Sequence, residues 1–125
     1  MTVKLANSPC SWGVSYPDAP DNPDPKKVFR EIAEAGYEFS ELGPYGFFQP
    51  DPQKILDFTE NLNLKIIGSF IFDNLHIESE QQRIKKTLSK SCALLEKINS
   101  KLIVVQIKIT LFLKGRDNVY LLIKL

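Results

Sequence analysis

Apolar positions along the chain change period several times, and each change marks an element. Val3, Leu5 and the small Ala6 form a short apolar segment that stops at Asn7, Ser8 and Pro9, which predicts a first strand running into a Pro/Asp/Asn-rich loop over 8–24. Val28, Phe29, Ile32 and Ala33 then recur at helical spacing. Asp24 before Pro25 supplies a cap and a first-turn proline, and Gly36 a left-handed stop, so a helix is predicted over 25–35. Tyr37, Phe39 and Leu42 alternate with polar residues as a second strand, ended by Gly43, Pro44 and Gly46. Asp51 and Pro52 repeat the cap pair, and Ile55, Leu56, Thr59 and Leu62 line one face of a second helix. The nearly unbroken apolar run 64–72 reads as a strand buried on both faces, halted by Asp73 and Asn74. Ser79 with Gln82 has capping-box spacing, and Ile84, Leu88, Leu95 and Ile98 carry a long third helix toward a fourth strand over 102–105.

The order is βαβαβαβ. Strict alternation with an apolar third strand calls for a parallel α/β sheet, because parallel neighbours need a covering crossover between them. An open doubly wound sheet would carry a glycine fingerprint after its first strand, whereas 8–13 holds only Gly13. A closed (β/α)₈ barrel needs about 250 residues, so these 125 could supply only its first half.

Composition narrows the function classes. With 43% hydrophobic and 25% charged residues the chain is that of an ordinary globular domain, not of a disordered segment or a disulfide scaffold. A formal charge of +1 gives no footprint for nucleic acid. Cys10 and Cys92 are far apart and in no metal spacing, and residues 1–9 lack a charged and then apolar leader, so a reducing, cytoplasmic location is expected. All eight prolines fall at or before Pro52, whereas five Lys/Arg and one Asp make 101–125 basic. Gln106 and Lys108 break that apolar stretch well short of the ~20 residues of a membrane span, so no membrane association is expected.

Three motifs lie after the first three strands in order: SPCSWGV at 8–14, ELGPYG at 41–46 and GSFIFDNLH at 68–76. Together they resemble the sugar phosphate isomerase/epimerase family, the xylose isomerase-like TIM barrels that include inosose dehydratase. The resemblance covers residues 3 to about 105. It implies a parallel-sheet partial TIM barrel of about four N-terminal βα units over 1–106, followed by an atypical, hairpin-like tail over 107–125. It also implies a divalent metal (Mn, Co, Mg or Zn), a small sugar-like or polyol substrate, and a site at the C-terminal strand ends. The metal ligands of that family are expected on later strands, so no metal-binding residue is assigned in this chain. The shared chemistry is removal of a proton next to a carbonyl, the metal and fixed dipoles stabilising the enediolate; isomerase, epimerase and dehydratase differ only in the fate of that enediolate.

Three residues are candidates for substrate binding. Glu41 sits where a strand gives way to a Gly-Pro loop, from which a barrel projects a carboxylate into its mouth; the plainer reading is a loop-capping surface acid. His76, the only histidine, could donate to a sugar oxygen or bind metal, although a lone histidine is more often structural. Trp12 could stack on the C–H face of a sugar ring or simply cover the sheet end. Tyr45, Phe47 and Phe48 form either a pocket wall or a core lid. Cys10 lacks an adjacent base and reads as packing, and Lys85, Lys86 and Lys90 read as a solvated helix face.

From Ile107 onward the family likeness ends, and two apolar runs flank Lys114, Gly115, Arg116, Asp117 and Asn118, a hairpin turn in pattern. The expectation is a truncated form whose tail is not the inherited one. Three readings remain open: a family member acting on sugar-like substrates, a non-catalytic half-barrel that self-associates through its open sheet edge, or a small open α/β binding domain unrelated to that family.

Overall fold

The computed structural model describes residues 3–108 and the pair Leu122–Ile123. The elements are β1 (Ala6–Asn7), α1 (Pro25–Glu34), β2 (Phe39–Glu41), α2 (Pro52–Glu60), β3 (Lys65–Asp73), α3 (Gln81–Lys97), β4 (Leu102–Ile107) and β5 (Leu122–Ile123). The fold is α/β, as the alternation requires. β1 to β4 lie side by side in chain order and pair in parallel throughout. Leu122–Ile123 returns antiparallel to β4, opposite Gln106 and Val105. The turn expected at 114–118 lies outside the described residues.

Sequential order has a geometric consequence. Right-handed crossovers that all step in one direction lay their helices on one face of the sheet. One core cluster accordingly joins Val28, Phe29 and Ile32 of α1, Ile55 of α2, and Leu94 and Leu95 of α3 with Leu42, Leu64 and Ile66. Phe48 bridges it, its ring 5.7 Å from Phe29 and 5.6 Å from Phe58.

The helix starts follow local chemistry. Asp24 accepts from the Lys27 N–H, and Asp51 from those of Gln53 and Lys54, each just before a proline at the first helical position. The third start corrects the expected capping box. A 3₁₀ turn over Glu78–Glu80 precedes α3, which begins at Gln81 with Glu80 as its unbonded N-cap, so Ser79 caps nothing. Glu80 instead accepts from Arg83, at 2.8 Å from Nε and 2.6 Å from Nη2. The first strand is also shorter than its apolar pattern. Only Ala6 and Asn7 pair, and Val3 and Leu5 are 79% and 70% exposed, because β1 has no outer neighbour among the described residues to bury them.

β3 carries one residue more than β2 opposes: Ser40 pairs with Ile66 and Glu41 with Gly68, leaving Ile67 unmatched. β3 then runs five residues beyond Glu41's partner, alongside β4, with Gly68 opposite Leu102 and Asp73 opposite Ile107. The C-terminal rim is therefore stepped, low at β2 and high at β3 and β4. Among the described residues no helix is long and apolar enough to cross a membrane.

Candidate functional site

Parallel strands deliver their outgoing loops to one rim, and three loops meet there: 8–24, 42–51 and 74–80. The step in the rim exposes the upper part of β3, and the first two loops pack against it. Ser69, buried in β3, donates its hydroxyl to the Gly43 carbonyl at 2.6 Å, and the Leu42 N–H reaches the Gly68 carbonyl at 2.7 Å. Gly43 holds φ +88°, where a Cβ would lie 3.1 Å from the Phe47 ring and 3.3 Å from Pro9, so the loop turns on a residue without one.

A cavity of about 270 Å³ opens between these loops, upper β3 and α3. Its lining mixes aromatic rings with polar groups: Tyr16, Tyr45 and Phe72 beside Asp18, Asp73, Arg83, Thr87, Lys90 and Ser91. The Tyr16 and Phe72 rings meet at 5.6 Å, tilted by 40°, and the Lys108 ammonium sits 5.6 Å from the Tyr16 ring centre. Tyr16 is fixed from behind by Asn22, whose side-chain amide donates to its carbonyl at 2.7 Å.

Asp73 and Arg83 form the polar wall. Arg83 holds the carboxylate in a fork, Nη1 to Oδ2 at 2.9 Å and Nη2 to Oδ1 at 2.8 Å, while the Asn74 N–H adds a third donor at 2.8 Å. The guanidinium hydrogen bonds hold the Asp73 carboxyl below the ordinary value of 3.8, against the opposing effect of burial, with the Asn74 N–H and the charges of Arg83 and Lys108 adding to the lowering. The same bonds, with those to Glu80, raise Arg83 further above its ordinary value.

Trp12, Glu41 and His76 all lie at or beyond the C-terminal ends of successive strands, but none lines this cavity. Trp12 ends a short 3₁₀ turn, Pro9–Trp12, and its indole N–H donates to the Glu31 carboxylate on α1, so the ring is half-buried against the helix layer. Glu41 is half-buried; Ser40 and Leu42 beside it are buried, Leu42 in the shared core, so alternation turns Glu41 to the helix-free face. His76 stands exposed in the turn closed by the Ile77 N–H on the Asn74 carbonyl. Tyr16 and Arg83 were not candidates from pattern: Tyr16 lies in a loop without periodicity, and Arg83 is one cation among several on α3. Lys90, read as part of a solvated helix face, borders the cavity.

The divalent ion implied by the family resemblance does not fit the described residues. Among them no three of His, Cys, Asp and Glu converge, and Asp73, the carboxylate at the top of β3, is already held by Arg83. No family model matches this chain, and neither does any curated protein.

Proposed function

We propose that the chain is the N-terminal portion of a TIM-barrel-type enzyme of the sugar isomerase/epimerase kind, and that its rim cavity binds a small sugar-like or polyol substrate. The observation that carries this reading is a four-stranded parallel sheet in chain order, helices on one face, with an aromatic and polar cavity at its C-terminal rim. That rim is where (β/α) barrels place their ligands.

The lining suits a polyol. Tyr16 and Phe72 offer rings to the C–H face of a sugar. Around them the Thr87 and Ser91 hydroxyls, the Tyr45 phenol and the Asp18 carboxylate can exchange hydrogen bonds with substrate hydroxyls. Two acids, Asp18 and Asp73, balance two bases, Arg83 and Lys90, which favours a neutral ligand over a phosphorylated one. Glu41, on the helix-free face and outside the cavity lining, would act only on a substrate that extends over the strand ends, where a carboxylate could accept a proton next to a carbonyl. The steps that separate isomerase, epimerase and inosose dehydratase-like lyase depend on groups beyond these residues, and the metal of the complete family would be held by them too.

Saturation-transfer NMR with xylose, fructose and myo-inositol tests the reading. Transfer at millimolar ligand is expected, with affinity lowered about tenfold in Tyr16→Ala, the loss of one stacked ring being worth roughly 1 kcal/mol or more. Absence of transfer from any of the three, or transfer that Tyr16→Ala and Thr87→Ala both leave unchanged, overturns it.

A further inference from the structure

We infer that Ser91 is the specificity-determining residue of the rim cavity, where its hydroxyl reads one hydroxyl of the bound ligand, and that this ligand is an uncharged polyol of single-ring size. The inference rests on the polyol reading above and adds to it the group that tells one polyol from another.

The buried polar residues of the described chain are Ser40, Thr59, Ser69, Ser91 and Ser100. Ser40 donates to the Glu41 carbonyl at 2.8 Å, Thr59 to that of Ile55 at 2.9 Å and Ser69 to that of Gly43 at 2.6 Å, as burial demands. Ser100 is closed off without a partner among the described residues. Ser91 differs from all four. It is only 3% exposed and has no hydrogen-bond partner among the described residues, yet it borders the cavity. A hydroxyl so placed keeps its proton and both lone pairs for whatever enters. Helix geometry gives its direction. Arg83, Thr87, Lys90 and Ser91 all line the cavity, and positions i, i+4, i+7 and i+8 make one stripe of α3. Exposure falls along that stripe: Arg83 and Lys90 are exposed, Thr87 is half-buried and Ser91 is buried, which sets Ser91 at the closed end.

The neighbours set the ligand class. Arg83 is already paired with Asp73 and Glu80, whereas Asp18 and Lys90, both exposed, are in no ion pair among the described residues. One acid and one base are thus left, and a ligand with a net charge would be attracted by one and repelled by the other. Thr87 donates its proton to the Arg83 carbonyl at 3.2 Å, so toward a ligand it can only accept. Thr87 and Asp18 accept, Lys90 donates and Ser91 does either, a set that hydroxyls match because each hydroxyl does both. The cavity volume of about 270 Å³ lies at the low end of the roughly 300–1,000 Å³ of ligand sites, room for one ring. A ligand lacking the hydroxyl that meets Ser91 would leave that buried group unpaired, which is how such a site discriminates.

The test titrates the full chain by NMR with xylose, fructose and myo-inositol, and with the monodeoxy analogues of each one that binds. One analogue is expected to bind about tenfold more weakly than its parent, the loss of a single hydrogen bond to a buried partner. Ser91→Ala should weaken the parent about tenfold and bring that analogue level with it, while analogues lacking other hydroxyls keep their ratios to the parent. Ser91→Thr, which retains the hydroxyl, should restore the discrimination. Far-ultraviolet circular dichroism checks that both variants fold as wild type. Binding that Tyr16→Ala weakens but Ser91→Ala leaves unchanged overturns this inference and leaves the polyol reading standing. A Ser91→Ala loss shared equally by the parent and every analogue also overturns it, since Ser91 would then act by shape and not by its hydroxyl. Absence of binding by all three sugars overturns both.

Discussion

Two single residues carry more of this rim than their size suggests. Gly68 faces β4 so closely that a Cβ built on it would lie 2.5 Å from the Leu102 carbonyl oxygen and 2.9 Å from the Leu102 Cβ. Backbone cannot yield as a side chain can, so Gly68→Ala is expected to push the two strands apart and to destabilise by about 1–3 kcal/mol, read from the urea midpoint. Asp73 acts through charge. Its folded-state pKa is lowered, so the stability it contributes is present above the ordinary carboxylate value of 3.8 and is lost as pH falls through the folded value. Asp73→Asn removes that contribution at neutral pH. The wild-type chain should accordingly lose more stability than Asp73→Asn as pH is lowered from about 5 to 2, measured as urea midpoints across the series. Equal acid slopes would mean that the Arg83 fork adds nothing to folding. The cavity residues were hidden for a related reason. What makes Arg83 special is its hold on Asp73, ten positions earlier, which no periodicity records.

At the level of elements, legibility depended on how local each signal was. α1 and α2 begin where an aspartate precedes a proline, a device complete within four residues, and both aspartates do accept the N–H groups expected of them. The capping box at Ser79 was equally local but met competition: Arg83 draws Glu80 and Asp73 together, and the chain enters α3 through a 3₁₀ turn instead. β1 fell short of its pattern because strand length at an edge is decided by a neighbour, which the apolar spacing of 3–6 cannot supply. These differences give a direct comparison. Asp24→Ala and Asp51→Ala should each cost about 1 kcal/mol, whereas Ser79→Ala should stay within about 0.5 kcal/mol of wild type in the same denaturation assay. A Ser79→Ala loss as large as that at Asp51 would restore the capping box. The candidate site was legible only as a location. Strand ends could be read, so Trp12, Glu41 and His76 were placed at one rim; which way each side chain turns depended on helix contacts, such as that of Trp12 with Glu31, that form between distant segments.

For the molecule as a whole, the question is whether four parallel strands and three helices behave as one unit. A sheet whose helices all lie on one face concentrates its burial there, and here a single cluster runs from Val28 on α1 to Leu95 on α3 through Phe48, Ile55 and Ile66. No break in that cluster separates an early unit from a late one, so unfolding should be a single cooperative step. Two native probes report on different parts of it. Trp12 is tied by its indole N–H to α1, whereas far-ultraviolet circular dichroism is weighted toward α3, the longest described helix at 17 residues. Their denaturation curves should coincide. Phe29→Ala empties a fully buried site on α1 in contact with Phe48. It should lower stability by about 3–5 kcal/mol and shift both probes together. If tryptophan fluorescence moved alone while the helical signal held its midpoint, α3 with β3 and β4 would be an independent folding unit, and the rim cavity, which needs loop 8–24 and α3 at once, would exist only while the two stay docked.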